Sequence, residues 1–240
     1  MKPNELILIP EIGLGDHFIS NALVNIVSGL VDKVFLPTYC NTVHNNVDTV
    51  KALYSENPKV AVVPVPWFLY HWTPGLSWQD YFNNWNTPIL QVQKPPQSCL
   101  YWYLYFYEQF ELDWSVHHTH AHVPYSERAQ ELLTETRQQH GDEYRVIHNI
   151  SSHGVYNFKA CGNTALPTVE IKPGVSSSLL DWSLVLENAE EVHACQSSVF
   201  WLCNILKNCR GRFYYHNSRP SNHHIFPMHF PKWEFIHGYY

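Results

Sequence analysis

Residues 6–30, LILIPEIGLGDHFISNALVNIVSGL, decide the fold. Leu6–Ile9 is a short unbroken apolar run, the mark of a strand covered on both faces. Gly13, Gly15 and Asp16 then make a turn. After it Phe18, Ile19, Ala22, Leu23, Ile26, Val27 and Leu30 recur at i, i+1, i+4, i+5 and i+8. That spacing is one face of a helix, with Asp16 as its expected N-cap. The pattern repeats: Lys33–Leu36 reads as a strand, Val43 to Tyr54 as a helix and Val60–Val65 as a third strand. A β-α-β-α-β order implies a doubly wound parallel sheet.

A second alternating set follows. Ser126 to Gln139 reads as an exposed helix closed by Gly141. Arg145–His148 is a strand followed by the polar turn Ser151-Ser152-His153-Gly154. Thr168–Ile171, Val192–Ala194 and Arg212–Tyr215 are further strands. Ser178-x-x-Asp181 has the form of a capping box opening a helix over Leu179–Asn188, and Ser197 caps an apolar helix from Val199 to Leu206. Between the sets, Trp67 to Asn86 reads as a loop or short helices, Cys99–Phe110 as helical and Val116 to Pro124 as a connector. The Pro- and His-rich tail from His216 shows little regular pattern. The expected class is therefore α/β with two Rossmann-like domains and parallel sheets, divided as residues 1–120 and 121–240.

Composition narrows the class. The 240 residues carry 15 Lys plus Arg against 21 Asp plus Glu, a net charge of −6, and only 15% are charged. Such a chain lacks the basic stripe of a nucleic-acid binder and is too apolar to be disordered. No run approaches the roughly 18 apolar residues of a membrane helix. The start, with one Lys and no long apolar run, is unlike a secretory signal. None of the six cysteines forms a Cys-x-x-Cys pair, so they read as reduced thiols of a cytoplasmic protein. The 16 histidines are the unusual feature.

In a parallel α/β sheet, ligands bind beyond the carboxyl ends of the strands. Three loops lie there. Gly13-Leu14-Gly15-Asp16-His17 lacks the third glycine of a dinucleotide fingerprint, since Phe18 stands in its place, and it lacks a phosphate loop's Lys-Ser/Thr. A carboxylate beside a glycine turn suits proton abstraction from a hydroxyl; simple capping is the competing reading. Ser151, Ser152, His153 and Lys159 offer hydroxyls and a cation to a diphosphate, against a plain solvated turn. Gln196-Ser197-Ser198 opens a helix at the same edge, against plain capping. His117, His118, His120 and His122 are a candidate zinc cluster, but they lie in the expected connector rather than at a strand end. The run Tyr101–Tyr107 reads as core or interface, with a sugar-stacking platform as the minority reading.

Together these blocks resemble the GT-B glycosyltransferases of the heptosyltransferase type (family 9). There a glycine-Asp turn follows the first strand. The second half carries an Asn-Ala helix end, here Asn188-Ala189, leading to a strand and a turn, here Gln196-Ser197-Ser198. A looser similarity to fucosyltransferases also exists. The resemblance implies two domains facing across a cleft and metal-independent, inverting transfer with no cofactor. It implies a nucleotide-diphosphate sugar donor and a glycan or glycolipid acceptor. Asp16, helped by His17, would be the general base. Ser151, Ser152 and Lys159 would hold the donor diphosphate, with Ser197 and Ser198 at the phosphate-binding helix turn. Gly13 and Gly15 would let the backbone approach the donor, His148, His153 and His216 fall at or near strand ends where it would sit, and under the fucosyltransferase similarity Arg219 would face its phosphates. The sequence departs from the family pattern at Gln196, where an Asp is usual, at Ser198 for Gly, and at Trp201 for His. These departures keep a second expectation open, a binding protein of the same fold without catalysis. A zinc hydrolase built on the 117–122 histidines is the third.

Overall fold

The computed structural model describes residues 4–10, 13–40, 46–66, 78–92, 102–151, 154–172, 174–217, 225 and 227–237. The chain divides into two compact units, residues 1–96 with 103–124, and residues 97–102 with 125–240. Each is built on a parallel sheet with helices, so the α/β, Rossmann-like class read from the sequence is the class of the structure.

The first unit has strands β1 (Glu5–Ile9), β2 (Lys33–Cys40), β3 (Val60–Pro66) and β4 (Ile89–Gln91), in the order β3-β2-β1-β4, all parallel. Its helices are α1 (Leu14–Ile19), α2 (Asn21–Leu30), α3 (Asn46–Leu53), α4 (Trp78–Tyr81), α5 (Tyr105–Glu108) and α6 (Ser115–His120). The apolar run of β1 is buried on both faces. Ile7 and Ile9 pack with Tyr39, Val65 and Phe82, while Leu8 lies fully buried between them in sequence.

The expected single helix after the glycine turn is two helices broken at Ser20. The cause is a side chain inserted into the helix ladder. The buried Tyr107 hydroxyl donates to the Ile19 carbonyl and accepts from the Leu23 amide, the pair that would bond to each other in a continuous helix. The expected connector holding the histidine run is also helical. It is α6, docked on α2 through Asn25 Nδ2 donating to the His120 carbonyl at 3.1 Å and the His122 amide donating to Asn21 Oδ1 at 2.7 Å. Of the aromatic run, Tyr103, Phe106 and Tyr107 are core, which leaves these three rings no face for a sugar.

The second unit has strands β5 (Arg145–His148), β8 (Thr168–Glu170), β9 (Glu191–Ala194), β10 (Arg212–Asn217) and β11 (Trp233–His237), in the parallel order β11-β10-β9-β5-β8. A small antiparallel ribbon, β6 (Ile150–Ser151) with β7 (Gly154–Val155), follows β5. Its helices are α7 (Glu127–His140), a 3-10 turn (Leu179–Trp182), α8 (Ser183–Asn188) and α9 (Ser198–Ile205). Strand β11 corrects the reading of the tail as irregular: Trp233 to His237 pairs in register with Phe213 to Asn217. The Ser178 motif is not a reciprocal box. Ser178 Oγ accepts the Leu180 amide, but the Asp181 carboxylate accepts from Ser126 Oγ at 2.7 Å and from Ser176 Oγ.

Alternation along β9 and β10 sorts the two faces of this sheet. Val192, Ala194, Phe213 and Tyr215 share the face covered by α9, where Phe200 meets Tyr215, Phe230 and Trp233 at ring separations of 5.0, 5.2 and 4.8 Å. Glu191, His193, Tyr214 and His216 share the other face. The chain enters β10 through Gly211, where a Cβ would lie 2.1 Å from the Ala189 carbonyl oxygen and 2.4 Å from that of Glu190. Gly211→Ala is expected to destabilise by about 1–3 kcal/mol through this overpacking. Urea unfolding reads it as a lower midpoint at unchanged m-value; an unchanged midpoint contradicts it.

Candidate functional site

Ligands of open α/β sheets sit where the strand order reverses, outside the carboxyl ends. In the first unit the reversal falls between β1 and β4, and the turn after β1 carries Gly13 and Asp16. Gly13, not Asp16, is the N-cap of α1; Asp16 is the third helical residue, and its Oδ2 accepts the Gly13 amide at 2.6 Å. That is half of a capping box, the half a glycine cap permits. The Gly13 amide orients this carboxylate. Gly15 lies in the first turn of α1. Asp16 is half-buried, but His17 is 1% exposed and faces the core, where burial pushes its imidazole down to about 3. His17 is thus a neutral core residue rather than a partner of Asp16 in proton transfer.

In the second unit the reversal falls between β5 and β9. His148 ends β5 and Ser197 follows β9, and they meet there: His148 Nδ1 lies 3.0 Å from Ser197 Oγ. Ser197 Oγ also lies 3.2 Å from the Cys195 carbonyl. When its proton goes to that carbonyl, Ser197 accepts from His148 Nδ1 and the lone pair of the ring is on Nε2. Burial lowers the His148 imidazole to about 4 and holds it neutral.

Ser197 is the N-cap of α9 by backbone but makes no side-chain cap. The first intrahelical bond runs from the Trp201 amide to the Ser197 carbonyl, so the amides of Ser198, Val199 and Phe200 precede any helical partner. Gln196 stands just before the cap, 6% exposed, with both Nε2 and Oε1 unpartnered among the described residues. A helix start that its own N-cap side chain leaves uncapped, beside this buried amide, groups polar donors and acceptors at one point.

The other expected residues scatter. Ser151 Oγ lies 3.3 Å from the Tyr156 hydroxyl in the β6–β7 ribbon, and Lys159 is exposed. Ser152, His153 and Arg219 lie outside the described residues. His216 lies on the face opposite His148, with its Nε2 3.1 Å from His193 Nδ1 and 3.8 Å from Cys161 Sγ. The 117–122 histidines do not converge as metal ligands. His117 is buried and stacked 4.3 Å from Trp114, His120 Nδ1 meets Thr119 Oγ1 at 2.9 Å, and His122 pairs with Glu56 at 2.7 Å. Gln196 stands out in the sequence only as a departure from a pattern; its orphaned burial has no sequence signal.

No family model and no curated protein matches this sequence. Among solved structures, E. coli heptosyltransferase WaaC with ADP-2-deoxy-2-fluoro heptose aligns with 97% of this chain and 92% of that chain, at 11% identity and a TM-score of 0.49. At that identity and score the likeness carries no argument about activity, and the functional reading rests on this chain's own residues.

His17 and His148 fix a pH dependence. Above 6.5 both rings are neutral whether the chain is folded or unfolded. Between 6.5 and their folded values, about 3 and about 4, only the unfolded chain takes up the protons. Stability therefore falls as pH falls through that window, by up to about 1.4 kcal/mol per pH unit for each ring. In NMR the His17 and His148 ring signals are expected to stay fixed from about pH 8 to about 5 while exposed histidines titrate. Titration of either ring near 6.5 in the folded protein contradicts the burial argument.

Proposed function

We propose that the protein is a metal-independent, inverting glycosyltransferase that moves a sugar from a nucleotide-diphosphate sugar to a hydroxyl of a glycan or glycolipid acceptor. The observation that carries this reading is the His148–Ser197 contact at the strand-order reversal of the second unit, beside the uncapped start of α9 and the orphaned Gln196 amide. Free backbone amides at a helix start take the oxygens of a diphosphate. The Nε2 lone pair of His148 takes a hydroxyl of the ribose or sugar rather than a phosphate oxygen, because lone pair against lone pair repels. Gln196 offers one donor group and one acceptor to the same ligand.

Asp16 of the first unit accepts the proton of the acceptor hydroxyl. That oxygen bonds to the anomeric carbon as the bond from this carbon to the phosphate oxygen breaks. The electron pair leaves on the nucleoside diphosphate, and the α9 amides offset the charge that gathers there. Attack from the side opposite the leaving group inverts the anomeric centre.

A second reading, nucleotide-sugar binding without transfer, is favoured by Gln196, a neutral amide where the resembled family places a carboxylate. Two measurements separate the readings. A thermal-shift screen with UDP, GDP, ADP, CMP and their sugars is expected to give one nucleotide that stabilises by about 3 kcal/mol at a hundredfold excess over its Kd. Ser197→Ala should reduce that shift. Asp16→Asn keeps an acceptor for the Gly13 amide, so it should fold and bind the same nucleotide but transfer about 10²–10⁴-fold more slowly. Binding without nucleotide release in the presence of acceptors selects the second reading; no shift with any nucleotide sinks both.

A further inference from the structure

We propose that Cys161, His193 and His216 form a site of one thiolate and two imidazoles for zinc or a zinc-like divalent ion, which clamps the segment after β7 onto the sheet of the second unit. His193 of β9 and His216 of β10 project from the sheet face opposite α9, and Cys161 reaches that face from the connection to β8. Their ligand atoms converge. His193 Nδ1 and His216 Nε2 are 3.1 Å apart, and Cys161 Sγ is 3.7 Å from the first and 3.8 Å from the second. Tetrahedral zinc with bonds near 2.0 Å to nitrogen and 2.3 Å to sulfur needs edges of roughly 3.3 Å N···N and roughly 3.5 Å S···N. The three atoms form such a triangle.

The surroundings are those of a built metal centre. His193 turns its other nitrogen, Nε2, to Glu191 Oε2 at 3.3 Å, the carboxylate partner that orients a ligating imidazole. Glu191 is 5% exposed and is held by the Asn163 amide at 2.8 and 3.0 Å. Tyr214 stacks on His193 at 4.7 Å and Phe158 on His216 at 3.9 Å, fixing both rings. Gly162 has φ 69°, and a Cβ there would lie 2.3 Å from Glu191 Oε2, so the Cys161 segment is pressed against the strand. A buried carboxylate and a thiolate are costly side by side; a dication between them offsets both charges. Burial, then Glu234 and Glu191, raises the Cys161 thiol. With His193 Nε2 donating to the Glu191 carboxylate, its Nδ1 accepts from His216 Nε2.

Binding replaces protons. Cys161 releases its thiol proton to solvent, His193 binds through the Nδ1 lone pair, and His216 carries its proton on Nδ1 instead of Nε2. Three protein ligands leave one tetrahedral position for water. The site is separate from the His148–Ser197 contact and does not depend on the glycosyl-transfer reading.

The test uses the full chain without an affinity tag, stripped with chelator and titrated with Zn2+ and with Co2+. One equivalent of either is expected. Co2+ should give the intense visible bands of a tetrahedral site and a near-ultraviolet thiolate-to-cobalt band. Cys161→Ala should abolish the near-ultraviolet band and weaken Zn2+ binding by about 100-fold or more, whereas Glu191→Gln should keep the band and lose about 10–100-fold. Alkylation of the wild-type protein, read by mass spectrometry, needs no variant: Zn2+ should protect Cys161 and leave exposed Cys40 reactive. Substoichiometric binding, a cobalt spectrum without the sulfur band, equal alkylation of Cys161 with and without Zn2+, or loss of the bound ion on replacing His118 and His120 overturns the proposal.

Discussion

A carboxylate buried on a central strand of a parallel sheet must be hydrogen-bonded or paired, and in the second unit this falls to Glu191. Parallel sheets are covered on both faces. One face here meets that need with the rings of Phe200, Tyr215 and Trp233. The other carries Glu191, His193 and His216, so an apolar helix laid over it would strand their polar atoms. The chain lays an irregular segment there instead. Its backbone supplies the Asn163 amide, its Phe158 supplies a ring, and its Cys161 supplies the thiol. The polar face and its polar cover each require the other.

This division separates two kinds of chemistry within one unit. His148 and Ser197 stand at the strand ends on the α9 side, at the start of that helix. Cys161, His193 and His216 stand on the opposite side, closed over by the segment they bind. Neutral imidazoles serve both, but in different ways. His148 meets a serine hydroxyl through Nδ1. His193 has its lone pair turned inward and its proton fixed by a carboxylate.

Much of the fold is legible in the sequence because its signals are local. The LILI run and the spacing from Phe18 to Leu30 fix β1 and its helices, and the alternation repeats in the second half. What escapes is what depends on distant partners. Asp16 is the expected cap but lies at the third helical position, since side-chain type does not say which of two nearby residues leaves the helix. The break at Ser20 needs Tyr107, 88 residues from Ile19. Strand β11 is five residues after a Pro- and His-rich stretch, too short for a periodic signal against that background. The histidine surplus points to the run 117–122, where sequence neighbours point apart around α6. The histidines that converge lie 23 residues apart on adjacent strands, with the cysteine 32 residues before the first. No spacing motif announces such a set.

The insertion of Tyr107 into the helix ladder bears on the order in which the chain can mature. Its hydroxyl and the Nδ1 of His117, 3.2 Å from the Ile19 carbonyl, close the backbone bonds that the break at Ser20 leaves open. Both come from the segment 103–124 that returns to the first unit. Emerging from a ribosome, the first hundred residues therefore hold all four strands of a sheet but not the groups that satisfy its first helices. The N-terminal unit becomes complete only when residues up to about 124 are free to fold back, so its maturation overlaps with synthesis of the second unit instead of preceding it.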